Sequence, residues 1–334
     1  MTKDKMTRPQ VKPRAVMLSK RANVFYLEHV RVVQKDGRIV YITEDGNLIE
    51  RYFNVPERNT AFILLGKGSS ITDSAARKLA ESNVIVGFCG SGGSPLFSTV
   101  DYAFLTPVSE YRPTEYMQEW MRAWLDEDRR LGLARALLHK RCDIIQSSWA
   151  KAPELLKHAI SVPLLLLEKL RHEVTTGPNT QVLLLSEARF AKSLYALLAN
   201  AYRIEFSREE GKGAGQTTAD VINGFLDHGN YIAYGYAAVA LNGLGISFSL
   251  PLLHGKTRRG ALVFDIADLI KDAFVMPMAF YCGKRGDSSR DFRQLLIERL
   301  QEEEVLDLLF GFVKSLCEKP YINQHLEDSS KNEG

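Results

Sequence analysis

The sequence predicts an α+β protein in which a β-rich, sandwich-like N-terminal domain precedes an all-α domain. Three observations predict it. The first hundred residues hold short runs rich in β-branched and aromatic residues, broken by turn signals. After Pro113, apolar residues recur at helical spacing instead. The strands also precede the helices without βαβ alternation, which is the pattern of two separate domains. At roughly 150 residues per domain, a chain of 334 residues accommodates both.

Val24–Val33 and Arg38–Thr43 read as strands joined by a hairpin turn at Lys35-Asp36-Gly37. Glu44-Asp45-Gly46-Asn47 marks a second turn before a strand over Leu48–Phe53. Ala61–Leu65 and Val84–Phe88 read as short buried strands. Between them a helix runs from a cap at Thr72 or Asp73 to Ser82. Gly90–Ser94 is a loop closed by Pro95. Trp120, Trp124, Leu131, Leu138 and Ile145 set a helical period over Thr114–Trp149, in one helix or two in series, with Thr114 as N-cap. Further helices are expected over Val162–His172, Ser186–Ala201, Thr218–Phe225, Tyr231–Leu244, Phe264–Phe274 and Asp291–Cys317. The organisation expected is a basic extension over 1–14, the β-rich domain over 15–108, the all-α domain over 109–322 and a polar tail over 323–334. Arg208–Thr217, with three glycines, reads as a mobile loop.

Composition narrows the class. Hydrophobic residues make up 45% and charged residues 25%, the mix of a soluble globular protein. A net charge of +3 does not announce nucleic-acid binding, so local clusters must carry any such argument. Cys89, Cys142, Cys282 and Cys317 lie far apart and form no CxxC pair, which argues against a zinc ribbon or a disulfide framework and for a reduced, cytoplasmic setting. Lys3, Lys5, Arg8, Lys12 and Arg14 make the extension basic, and no apolar run follows them, so no signal peptide is expected. The uncharged stretch Tyr231–Leu253 is long enough to span a bilayer. Its glycines, Asn242, serines and Pro251 fit a buried central helix followed by an extended segment better.

Two nucleotide-binding signals fail. Val84–Gly93 is a strand followed by glycines, but a dinucleotide fingerprint starting at Gly90 would need its third glycine where Pro95 stands. Gly66-Lys67 resembles the end of a P-loop, but the first glycine position is Ala61 and Gly68 stands where Ser or Thr is required. Nothing points to ATP.

The chemistry-bearing stretch is His254–Asp272. Asp265 and Asp268 are three apart on an expected helix, and Asp272 continues their face. Carboxylates in such proximity repel, and a divalent metal with His254 as a further ligand would relieve the repulsion. A solvated acidic face neutralised by Lys271 and the neighbouring arginines is the plain alternative. Lys256, Arg258 and Arg259 add three cations between Gly255 and Gly260, which suits a phosphodiester substrate or else a solvated basic loop. A further ligand must come from elsewhere. Glu187, expected just after a cap at Ser186, is indistinguishable by pattern from other glutamates.

These residues resemble a known family. His254-Gly-Lys-Thr-Arg-Arg-Gly260 with Val263-Phe-Asp-Ile-Ala-Asp-Leu-Ile-Lys271 is similar to the signature of the CRISPR-associated spacer integrases, the first Cas protein of the adaptation module. Asn230-Tyr-Ile-Ala-Tyr-Gly235 resembles the helix motif preceding it. Ser19–Asn23, Ser109–Tyr116 and Phe225–Asn230 look like the type I-F branch, and the likeness runs from about Leu18 to Leu316. The resemblance implies a homodimer joined largely through the β-domains and a catalytic all-α domain. It implies Mg²⁺ or Mn²⁺ held by Glu187, His254 and Asp268, with Asp265 in the fourth acidic position. Lys256, Arg258, Arg259 and Lys271 are then expected to contact DNA. The implied partners are double-stranded DNA, as spacer duplex and CRISPR repeat, and the second Cas protein, fused in this branch to the helicase-nuclease. The implied reaction is metal-dependent transesterification. A stand-alone metal nuclease acting on branched DNA and a catalytically silent DNA-bridging scaffold are the rival readings.

Overall fold

The computed structural model describes residues 16–45, 49–90, 102–107, 113–209, 217–255 and 260–318. Eight strands and one helix come first: β1 Asn23–Leu27, β2 Val30–Lys35, β3 Arg38–Asp45, β4 Ile49–Val55, β5 Thr60–Leu65, β6 Ser70–Ile71, α1 Asp73–Glu81, β7 Ile85–Cys89 and β8 Tyr102–Leu105. Ten helices follow: α2 Glu115–Leu125, α3 Glu127–Trp149, α4 Pro153–Leu156, α5 Leu164–Thr176, α6 Thr180–Tyr202, α7 Thr218–Gly243, α8 Ala261–Ile270, α9 Met276–Arg285, α10 Ser289–Glu302 and α11 Val305–Glu318. A π-helical turn, Lys271–Val275, joins α8 to α9. The α+β class is therefore as the sequence predicts.

The strands form two four-stranded sheets, ordered β1-β5-β7-β8 and β4-β3-β2-β6. The hairpin at Lys35-Asp36-Gly37 is present: Lys35 pairs with Arg38, and Asp36 and Gly37 both take positive φ, 50° and 72°. The run Val24–Val33 is two strands rather than one. His29 at φ 54° ends β1, and the chain passes to the other sheet. Ser69 fixes that crossing by donating to the Leu27 carbonyl at 3.2 Å. A second departure is topological. β5, α1 and β7 form a parallel crossover, so βαβ connectivity does occur. Thr72 caps α1 by accepting from the Ala75 amide, and Ala75 and Leu79 enter the apolar core between the sheets.

The two parts are not separate bodies of core. Every residue of β5 is buried. Ile63 and Leu65 point into the inter-sheet core, while Ala61, Phe62 and Leu64 belong to the core of the helical part. A strand covered on both faces requires the unbroken apolar run that Ala61–Leu65 provides.

The element β5 meets is α7. Thr217 and Asp220 make a reciprocal capping box at its start, and it continues without a break to Gly243, replacing the two helices expected there. Its residues from Tyr231 to Asn242 are all buried. Among the described residues no helix is long and apolar enough to cross a membrane. Phe62 lies edge-on to Tyr236 at 5.2 Å. A Cβ at Gly235 would stand 2.3 Å from the Phe62 ring, so only glycine admits the ring at this crossing.

Elsewhere the expected Asp291–Cys317 helix divides into α10 and α11 at Glu304, which takes φ 48°. Asp126, accepting from the Arg129 amide at 3.0 Å, separates α2 from α3. The expected turn at Gly46-Asn47, the Gly90–Ser94 loop beyond Gly90, most of the Arg208–Thr217 loop, the extension over 1–14 and the tail over 323–334 lie outside the described residues.

Gly235→Ala is expected to destabilise the protein by about 1–3 kcal/mol through overpacking against Phe62. Adding Phe62→Leu should recover part of that loss. Urea denaturation of the two single variants and the double variant checks this, and strictly additive losses would contradict the contact.

Candidate metal centre

The site is assembled by α3, α6, α8 and the segment leading into α8. That segment is held from α2. Trp120 Nε1 donates to the Leu250 carbonyl at 3.0 Å and Trp124 Nε1 to the Pro251 carbonyl at 2.8 Å. The residues whose periodicity identifies α2 therefore also anchor the chain just before His254.

Asp265, on α8, is fully buried. One of its oxygens accepts from the Leu252 and Leu253 amides at 2.6 and 3.1 Å. The other accepts from the His254 amide at 3.1 Å and from His254 Nδ1 at 2.6 Å. A carboxylate only accepts, so Nδ1 carries the proton and Nε2 is the atom left to bind. Nε2 lies 3.9 Å from Asp268 Oδ2. Asp265 thus orients the imidazole rather than reaching into the site itself. Burial alone would depress the His254 pKa. The Asp265 hydrogen bond and the charges of Asp268, Asp265 and Glu187 overcome it and raise the pKa above its ordinary value of 6.5.

Asp268 is buried, with Lys271 Nζ at 2.6 Å from Oδ1. Burial pushes its pKa up, but Lys271, Arg141 and His254 outweigh that and hold it below the usual carboxylate range. Lys271 also lies over the Tyr234 ring at 5.5 Å. Asp272 is buried as well, so the three aspartates line an interior and do not form a solvated face.

The next group was not found by sequence reasoning. Arg141 of α3 is buried among the side chains of its helix's core stripe, and its Nε donates to Asp272 at 3.1 Å. Its Nη2 also donates to Asp272, and its Nη1 donates to Glu187. The signal that could have found it is position: Ala134, Leu138, Ile145 and Ser148 occupy the same buried stripe, where an arginine must have a partner. Trp149 Nε1 and Ser148 Oγ of the same helix donate to the Asp272 and Ala273 carbonyls at 3.0 and 3.3 Å, satisfying acceptors in the π-helical turn.

Glu187 lies two turns into α6, not in its first turn. Asn179 caps the helix, accepting from the Val182 amide at 3.0 Å, because the apolar run before Ser186 is itself helical. Ser186 is buried and accepts from Arg189 at 3.1 Å. Glu187 therefore does not sit at a helix start, and its charge is met by an ion pair with Arg141.

His254 is hydrogen-bonded to Asp265 and stands 3.9 Å from Asp268, while Arg141 links Glu187 to Asp272. Lys271 is ion-paired to Asp268. Lys256, Arg258 and Arg259 lie outside the described residues. Glu187, Asp265, Asp268 and Asp272 face two permanent cations, Arg141 and Lys271, leaving two net negative charges when His254 is neutral. Carboxylate oxygens with one imidazole nitrogen suit a hard divalent cation. Among the described residues, no three His, Cys, Asp or Glu side chains converge closely enough to hold an ion as they stand.

The fold, two sheets packed on a helical domain, is shared with solved structures. TtCas1 in a DNA complex matches with TM-score 0.65 and 22% identity over 90% of this chain and 94% of its own. A casposase bound to its integration product matches with TM-score 0.67 and 14% identity over 90% and 92%. In sequence, the family described as CRISPR associated protein Cas1 matches residues 24–302. The CRISPR-associated endonuclease Cas1 of Pseudomonas aeruginosa (strain UCBPP-PA14) is 44% identical over 319 residues, 93% of this chain and 97% of that protein. The chain belongs to the Cas1 family.

In the metal-free protein, His254 should titrate above 6.5, and Asp265→Asn should lower that value by removing the Nδ1 acceptor's charge. A group whose folded pKa is raised contributes stability below its unfolded value and loses it as pH rises through the folded value. NMR titration of the imidazole Cε1–H checks this, and a His254 titrating at or below 6.5 in the unsubstituted protein would contradict it.

Proposed function

We propose that this chain is a DNA integrase and endonuclease of CRISPR adaptation, of the type I-F branch, dependent on Mg²⁺ or Mn²⁺. The observation that carries the reading is the clustering of His254 with the buried Asp265 and Asp268, beside the Glu187–Arg141–Asp272 network, with two negative charges unbalanced. The 44% identity to a protein named as a CRISPR-associated endonuclease supports it, as does the fold shared with a casposase bound to its integration product.

Glu187, His254 and Asp268 would hold the metal. When bound, it would supply positive charge to the phosphoryl oxygens as negative charge develops on them. Asp265 fixes the tautomer that leaves His254 Nε2 unprotonated, as carboxylate partners of metal-binding histidines do. Lys271 holds Asp268 from the side, and Lys256, Arg258 and Arg259 would grip the DNA backbone.

The reaction is a transesterification. A 3′-hydroxyl of the incoming duplex attacks a phosphodiester at a repeat boundary. A new P–O bond forms to the attacking oxygen and the P–O bond to the repeat strand's 3′-oxygen breaks. The hydroxyl proton goes to solvent, and the leaving oxygen takes one up. One phosphodiester replaces another, so no nucleotide is consumed, in keeping with the failed nucleotide motifs. The chain would act as a homodimer joined through its β-domains, in the cytoplasm. Its partner would be the second Cas protein, fused to the helicase-nuclease, and together they would hold the spacer duplex.

Asp268→Ala should leave a folded protein that fails to join a labelled duplex to a supercoiled repeat plasmid. Undiminished joining would sink the metal assignment, and nicks without joining in the unsubstituted protein would favour the nuclease reading. Lys256→Ala and Arg259→Ala should each weaken DNA binding and reduce the salt slope by about one. An unchanged slope would remove them from the footprint.

A further inference from the structure

Asp272 stands four residues beyond Asp268, yet its side chain is committed to Arg141. It is buried, lies in the π-helical turn, and receives both Nε and Nη2 of Arg141 on one oxygen. Its backbone carbonyl is held by Trp149 of the same helix that carries Arg141. Arg141 has one remaining terminal nitrogen, Nη1, and that atom is on Glu187. Glu187 is the carboxylate a metal would need, and Arg141 is the cation a metal would have to displace from it.

Resting on the metal reading above, we propose that Asp272 is a positioning residue that governs metal loading without touching the metal. By engaging two of Arg141's nitrogens it directs the guanidinium toward itself and leaves Glu187 bound through a single donor. Asp272 also neutralises Arg141, so the site keeps the two net negative charges that match a divalent cation. Without the Asp272 charge the site carries one net negative charge, and Arg141 turns its unshared charge on Glu187. Both effects oppose metal entry. Removing Arg141 and the Asp272 charge together restores the net charge and frees Glu187.

The test is Mn²⁺ binding to the full chain, read by the EPR signal of free Mn²⁺, with metal-free thermal denaturation as the check on folding. Asp272→Asn should weaken Mn²⁺ binding by about tenfold, the size of effect seen for residues that support metal ligands. The double variant Arg141→Gln/Asp272→Asn should bind at least as tightly as the unsubstituted protein, although it has lost a buried ion pair. A merely structural role would weaken both variants or neither. Unchanged affinity in a folded Asp272→Asn protein, or a double variant weaker than the single, would overturn the proposal. Asp268→Asn separates the two readings. If it abolishes Mn²⁺ binding while Asp272→Asn changes nothing, only the role of Asp272 fails. If the unsubstituted protein binds no Mn²⁺, the metal reading itself fails and takes this inference with it.

Discussion

Three aspartates within eight residues, all buried, impose the constraint around which the helical part is organised. A buried carboxylate is costly unless charge and hydrogen bonds compensate it. Each of the three is compensated differently. Asp265 draws on three consecutive backbone amides and the His254 ring. Asp268 draws on Lys271, one turn along its own chain. Asp272 draws on Arg141 from another helix. The differences separate their roles: Asp265 is saturated and orients, Asp268 retains an oxygen facing His254 Nε2, and Asp272 restrains a cation.

The surrounding fold serves these pairings. The tryptophans of α2 hold the carbonyls of residues 250 and 251, so the amides that follow can converge on Asp265. Helix α3 supplies Arg141 and, about two turns later, the Ser148 and Trp149 donors for the widened turn that carries Asp272. Because α7 packs against both the first sheet and α8, the β-rich part and the site share one continuous apolar core.

Much of this was legible in the residues themselves. The hairpin at Asp36-Gly37, the cap at Thr72 and the buried helix from Tyr231 are set by local chemistry: positive φ, a side-chain acceptor beside free amides, and an uninterrupted apolar run. The proximity of Asp265 and Asp268 follows from helical spacing alone. Where local signals misled, a longer-range term had decided the outcome. Ser186 looks like a cap, but Asn179 takes the role because the intervening leucines are helical. Two helices were expected where α7 runs unbroken, and Gly229 lies between them; a Cβ there would stand 2.4 Å from Val275, so the glycine serves close packing.

Sequence by itself determined the order of strands and helices and the grouping of His254 with its two aspartates, since these depend on residues within a turn or a few turns of one another. Only the tertiary structure decided what Glu187 pairs with and what balances the charge. Arg141 stands 46 residues from Glu187 and 131 from Asp272. No periodicity connects positions so far apart. What connects them is the cost of leaving a buried charge unpaired, a cost that exists only once α3, α6 and the turn after α8 have packed together.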